Sequence, residues 1–365
     1  MAKLPGLASA ASLLNKGGLR GVSSEPHNTT NPIEARHLSR REMLGVGGAV
    51  LLGGGIAAGL RFAGTDEGGQ RADVFIGKAP SYDYDLTAII RDGLLTLGIG
   101  RDQIRGKRIL LKPNLVETAS GHAHINTHPA VVVAAAEVFR RFDAADVFVA
   151  EGQGHRRDSI LVLDESGMGR ALAEAKLRFV DLNHDDVESV AKPTNWTNLE
   201  TLYLPKTVLA ADWVVSMPKM KTHHWAGVTC SMKNFFGVMP GIVYGWPKNV
   251  LHYAGIPESI LDINAAVRPA FSIVDGIVGM EGDGPIMGTP KHVGAIVMGS
   301  NLPAVDATCV RLMSLNPYGV PYLQKASGKL GPIHEANIAQ RGERIATLRT
   351  RFQMIDAPPP PSPVF

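Results

Sequence analysis

Cysteine is nearly absent: two thiols, Cys230 and Cys309, in 365 residues cannot build a four-thiolate cluster or a disulfide framework. One bridge between them stays open, and with it a redox role, if the fold brings them within bridging distance. A charge excess is missing as well. Residues 1 to 64 hold seven Lys or Arg against three acids, which leaves thirty against thirty-one for everything that follows. A body so close to neutral argues against a nucleic-acid partner, because that affinity starts from clustered basic charge. No internal repeat is visible. The Gly-rich stretch Gly279 to Gly288, G-M-E-G-D-G-P-I-M-G, lacks the Lys-Ser/Thr ending of a phosphate-binding loop, and its acids would repel phosphate unless a metal intervened.

What is present near the start is a pair of arginines, Arg40 and Arg41, followed by eighteen uncharged residues from Met43 to Leu60, seven of them glycine. The pattern matches a twin-arginine export signal. The stretch is also just long enough to be read as a membrane helix, although its glycines weaken that reading. Residues 1 to 38 are expected to be a disordered extension and residues 39 to 64 the signal or an uncleaved anchor. Residues 65 to 320 form one α/β domain, and residues 321 to 365 a C-terminal segment ending in the mobile proline run Pro358 to Pro361. Export by the twin-arginine machinery would place the body outside the cytoplasm, periplasmic or membrane-anchored, touching the membrane only through an uncleaved leader.

Within the body, apolar runs of four to six residues alternate with helical patterns, the mark of a mostly parallel sheet with helices on both faces. Strands are expected at Val74 to Gly77, Arg108 to Leu111, Asp146 to Ala150, Asp212 to Ser216, Ala270 to Val274 and Val293 to Met298. Helices are expected at Leu86 to Leu97, at Ala130 to Phe142 behind Pro129, and at Pro303 to Met313. Pro218, Pro240, Pro247, Pro257 and Pro285 break the middle of the chain into long loops at the carboxyl edge of the strands. Loops of that length are usually functional.

Polar clusters begin where the apolar strands end. Lys112 and Asn114 follow one strand, Glu151 another, Lys219 and Lys221 a third, and Asp275, Glu281 and Asp283 a fourth. In a doubly wound sheet these ends share one rim, where ligands bind. The segment Ser216 to Pro240 adds His223, Lys233 and Asn234, with Trp225, Phe235 and Phe236 to exclude water. Lysines gathered in a dry pocket repel one another unless an anion compensates them. Lys112, Asn114, Lys219, Lys233 and Asn234 are therefore the substrate-binding candidates, and His223, Lys221 and Glu151 the catalytic ones. Glu281, Asp283 and Asp275 are candidates for a divalent metal, with His122, His124 and His128 as a further set. Asp306 is explained most simply by the helix dipole. Changing Lys219 or Lys221 to Met is expected to abolish ligand binding and leave the melting temperature nearly unchanged.

Several of these segments carry a resemblance. L-K-P-N-L-V at Leu111 to Val116, T-H-P at Thr127 to Pro129, S-M-P-K-M-K-T-H at Ser216 to His223, M-K-N-F-F-G at Met232 to Gly237 and D-G-I-V-G-M-E-G-D-G-P at Asp275 to Pro285 are similar to domain-of-unknown-function family 362. The resemblance spans residues 106 to 312. Many members of that family look like iron-sulfur proteins because they also carry a ferredoxin-type run of cysteines. This chain lacks the run, so no iron-sulfur cluster is expected. The residues together point to an exported enzyme acting on a small carboxylate or phosphate. The competing reading is a non-catalytic protein that binds an anionic ligand or escorts a cofactor.

Overall fold

The strand Arg108–Pro113 sends Ile109 and Leu111 into one hydrophobic core and Leu110 into another. The same alternation separates Val147 and Val149 from Phe148 in the strand Asp146–Glu151, as the two-residue period of an extended chain requires. Both faces of the sheet are thus covered, which is why its central strands are continuous apolar runs. The computed structural model describes residues 67–118, 121–154 and 158–355. The N-terminal extension, the twin-arginine leader and the proline-rich tail fall outside the described residues.

Among the described residues the strands are β1 (Ala72–Lys78), β2 (Arg108–Pro113), β3 (Asp146–Glu151), β4 (Phe179–Asp181), β5 (Val187–Ala191) and β6 (Thr201–Pro205). They continue with β7 (Trp213–Met217), β8 (Lys219–His223), β9 (Gly227–Thr229), β10 (Phe271–Glu281), β11 (Thr289–Gly299) and β12 (Ile338–Gly342). The main sheet runs β12-β1-β11-β10-β7-β2-β3-β4, with β8 beside β10 and β9 beside β8, while β5 and β6 make a separate ribbon. β11 is antiparallel to both of its neighbours, and every other adjacent pair along the main order is parallel. Helices Leu86–Thr96 and Pro129–Arg141 contribute to one core, and Ile256–Val267 and Leu302–Leu312 to the other. The fold is the mainly parallel α/β sheet that the strand pattern implies.

Local signals hold where they are chemically specific. Pro129 opens its helix, and His128 caps it by accepting a hydrogen bond from Ala130 N at Nδ1, 3.2 Å away. Other expectations are corrected. Ala270 to Val274 covers only the start of β10 and Val293 to Met298 only the second half of β11, two longer strands joined by a hairpin. Seven intervening residues cannot make the crossover that a parallel pair needs, so β11 turns back on β10. The segment beyond residue 320 is no appendage either: β12 pairs with β1, and Phe352 is buried. Cys230 and Cys309 are free, buried and in hydrogen-bonding contact, and burial pushes both thiols up, away from the reactive thiolate.

Pro218 interrupts the line of chain between β7 and β8, and its carbonyl accepts a hydrogen bond from Asp275 N at 2.9 Å. β8 then continues along β10, past the ends of β2 and β3. This extension carries the lysines of the K-M-K motif beyond the sheet edge.

Candidate functional site

At the end of β2, Lys112 Nζ donates to Glu151 Oε2 at 2.6 Å, to Pro113 O at 2.9 Å and to Asn234 Oδ1 at 3.1 Å. All three ammonium hydrogens are therefore used. Glu151 also accepts from Leu115 N at 3.1 Å and Gly152 N at 2.9 Å. Burial pushes each partner toward its neutral form, but the opposite charge and the two amides keep the pair ionised. Asn234 is equally occupied, donating to Lys112 O and Ser216 Oγ. These three residues brace the rim. Gly237 lies against them so closely that a Cβ there would collide with Glu151 Oε1 and Lys112 Nζ. Gly237→Ala is expected to destabilise by about 1–3 kcal/mol, the usual cost of overpacking; a denaturation midpoint equal to wild type would refute this.

The two lysines of β8 have different surroundings, because β10 is irregular between Asp275 and Met280. Lys219 sits opposite Asp275 and donates to its Oδ2 at 2.5 Å and to Tyr82 Oη at 2.9 Å. Lys221 has no carboxylate partner among the described residues. Its Nζ donates only to Ile125 O at 3.0 Å and Pro285 O at 3.2 Å. Burial, and then repulsion from Lys219 and Lys233, hold this amine well below the usual lysine range.

Lys112, Asn114, Glu151, Lys221, His223, Lys233 and Asn234 all line one cavity of about 420 Å³ at the carboxyl edge of β2 and β3. Lys219 does not line it. Lys233 makes no ion pair or hydrogen bond among the described residues and lies over the Phe236 ring, 3.9 Å from its centroid. Burial, followed by the Lys112 charge, lowers Lys233 to about 7. His223 Nδ1 accepts from Trp225 N at 3.1 Å and Ala226 N at 3.2 Å, and burial and Lys233 keep the ring neutral. Its proton must then sit on Nε2, which makes this imidazole a hydrogen-bond donor. Asn114 Oδ1 and Thr229 Oγ1, both buried in residues that line the cavity, have no partner among the described residues.

Two lining residues escaped the sequence reading. Lys248 Nζ donates to Asn183 Oδ1 and Met239 O, each at 2.5 Å, and burial lowers it to about 7. His252 has Nδ1 within 2.9 Å of Lys248 O, which assigns the proton to Nδ1 and leaves the Nε2 lone pair open; burial lowers its pKa to about 4. Lys248 caps and His252 lies within the short helix Asn249–Tyr253 that follows Pro247, and the polar residues of that stretch were the available signal.

The acids expected to share a metal do not meet. Asp275 holds Lys219, Glu281 accepts from Lys291 and from Gln353 N, and Asp283 is an exposed wall residue 3.6 Å from His224 Nδ1. His128 stacks on Tyr82 and caps its helix, while His122 and His124 meet edge to face. Among the described residues no three His, Cys, Asp or Glu are grouped to hold a metal. Asp306 is a core anchor rather than a dipole partner: it accepts from Ser231 N at 2.7 Å and Met232 N at 3.1 Å, fixing the segment that carries Lys233.

A family described as Domain of unknown function (DUF362) matches residues 109–311. The thylakoid-associated protein sll1697 of Synechocystis is 29% identical over 266 residues, covering 70% of this chain and 78% of that protein. A solved structure, the lactate racemase apoprotein of Thermoanaerobacterium thermosaccharolyticum, superposes with a TM-score of 0.41 at 16% identity. The superposition covers 69% of this chain and 59% of that one, and likeness of this degree carries no argument about activity.

Proposed function

This chain belongs to the domain-of-unknown-function family DUF362, a membership that names no reaction, and we propose from the site that it is an enzyme transferring a proton to or from an anionic carboxylate or phosphate substrate. The observation that carries the reading is Lys221. An uncharged amine has two N–H groups and one lone pair. The two N–H groups meet two carbonyls, so the lone pair stays uncommitted. Such an amine is a general base at neutral pH, where an ordinary lysine is not. Lys233 and Lys248 neutralise the anion, and His223 Nε2–H stabilises charge that develops as the proton leaves. Glu151 acts through Lys112, whose hydrogens are all engaged. The polarising work that the sequence reading gave to a divalent cation falls to the lysines, because Asp275 and Glu281 are held by other cations.

The test of proton transfer is deuterium wash-in. A panel of hydroxy and oxo carboxylates incubated in D2O should gain deuterium with the wild type and not with Lys221→Met. Bound anion with no exchange anywhere in the panel would favour the non-catalytic binding protein instead.

A pH dependence follows. Lys233 and Lys248 shed their protons near pH 7 in the ligand-free protein. Depressed lysines stabilise the fold only while neutral, so this contribution is lost as pH falls from the ordinary lysine range through about 7. A bound anion reverses the preference and raises both values. Phosphate binding at pH 8 should therefore take up about one to two protons, and affinity should weaken as pH rises above 7. Calorimetry in two buffers of different ionisation heat measures the uptake; none at pH 8 would contradict the reading.

Export through Arg40 and Arg41, with residence at a membrane surface, is part of the same proposal. The leader pattern and the name of the Synechocystis relative support it. No helix among the described residues is long and apolar enough to cross a membrane. Replacing both arginines by lysine should retain the full chain in the cytoplasm, which fractionation would reveal.

A further inference from the structure

We infer that the substrate is an amphiphile, an anionic head carried on an apolar body of roughly the size of one medium-chain acid and enclosed whole in the cavity. The inference rests on the anion-binding reading above and specifies its substrate class. A cavity of about 420 Å³ lies within the range of roughly 300–1,000 Å³ that holds drug-sized ligands, well beyond what a bare phosphate or a three-carbon acid would fill. Its lining has two chemistries. Lys221, Lys233 and Lys248 supply the cationic part, while Leu115, Val116, Trp225, Phe236, Ile286 and Met287 supply an apolar one. A small anion would occupy the first and leave the second facing water.

The surroundings of the cavity carry the same message. Met287 is 77% exposed although it also lines the cavity. Ile242, Val250 and Tyr253 are exposed as well, on the segment from Gly241 to Tyr253 that contributes Pro247, Lys248 and His252 to the walls. Of these, Met287 is the exposed apolar residue that itself lines the cavity, so an apolar ligand would cover it. Asn114 Oδ1 and Thr229 Oγ1, buried in the cavity lining and unpartnered among the described residues, could each meet a hydroxyl of the substrate. A cavity of about 420 Å³ is too small to take in a two-chain lipid whole.

Calorimetric titration with inorganic phosphate and then with butyl, hexyl, octyl and decyl phosphate, each below its micellar concentration, tests the inference. Affinity should rise about threefold to fourfold per methylene until the cavity is full, with a heat-capacity change that grows more negative along the series. Ile286→Asp should flatten that rise; the heat-capacity trend reports the same burial in the wild type should the variant not fold. Phosphate binding with no gain from chain length would overturn the amphiphile inference alone. If no member of the series binds, inorganic phosphate included, the anion reading beneath it fails as well.

Discussion

Lys219→Met is expected to lower the unfolding free energy by about 3–5 kcal/mol, the usual cost of stranding a buried charge. Lys219 and Asp275 are both fully buried, and their contact is 2.5 Å. Removing the ammonium leaves the carboxylate with Tyr82 Oη, His128 N and, at 3.3 Å, Ile277 N as donors. Lys221→Met, two residues along the same strand, should behave oppositely. It deletes hydrogen bonds to two carbonyls and strands no charge, so its cost should stay within about 1–2 kcal/mol. Deuterium exchange should nevertheless disappear. Urea denaturation of the two variants, with the D2O assay on whatever folds, decides the matter. Equal destabilisation would mean that both lysines are structural, and the catalytic assignment of Lys221 would be lost. The K-M-K motif alone led to the expectation that both replacements would spare stability; the buried Lys219–Asp275 pair argues against it for Lys219.

Glu151→Gln is the second large effect. Lys112 would keep Pro113 O and Asn234 Oδ1 but lose its only carboxylate, and we expect a loss of about 3–5 kcal/mol. The more telling result lies in the double variant. Lys112→Met with Glu151→Leu removes both charges and replaces them with apolar groups, an exchange that is often neutral or stabilising for a buried pair. In a cycle built from Lys112→Met, Glu151→Leu and the double variant, the double should cost less than either single change, so that the coupling is at least as large as one single loss. Additive single effects would mean that the two side chains act independently, and the bracing role of Glu151 would have to be abandoned.

The difference between these lysines was not legible in the sequence. Lys112, Lys219 and Lys221 follow strand ends and Lys233 lies in the polar segment Ser216 to Pro240, and eight candidates named from such positions, Asp283 among them, line the cavity. Their protonation and roles were not. Lys112 finds its carboxylate 39 residues away and its amide 122 residues away, and Lys219 finds Asp275 at a separation of 56. Lys248 was missed because no strand end or helix face marks it; Asn183 and Met239 meet it only once the loop has folded.

What the chain determined by itself is what depends on neighbours along it. The two-residue alternation in β2 and β3, the proline at the start of Pro129–Arg141 and the near-neutral charge beyond residue 64 are local or compositional, so the mainly parallel α/β class followed directly. The tertiary structure decided which cation meets which acid, and therefore that Asp275 and Glu281 are held by lysines while Lys221 is left with carbonyls alone. Burial and pairing act through space over a few ångströms, and those distances come into being only when separate strands are laid side by side.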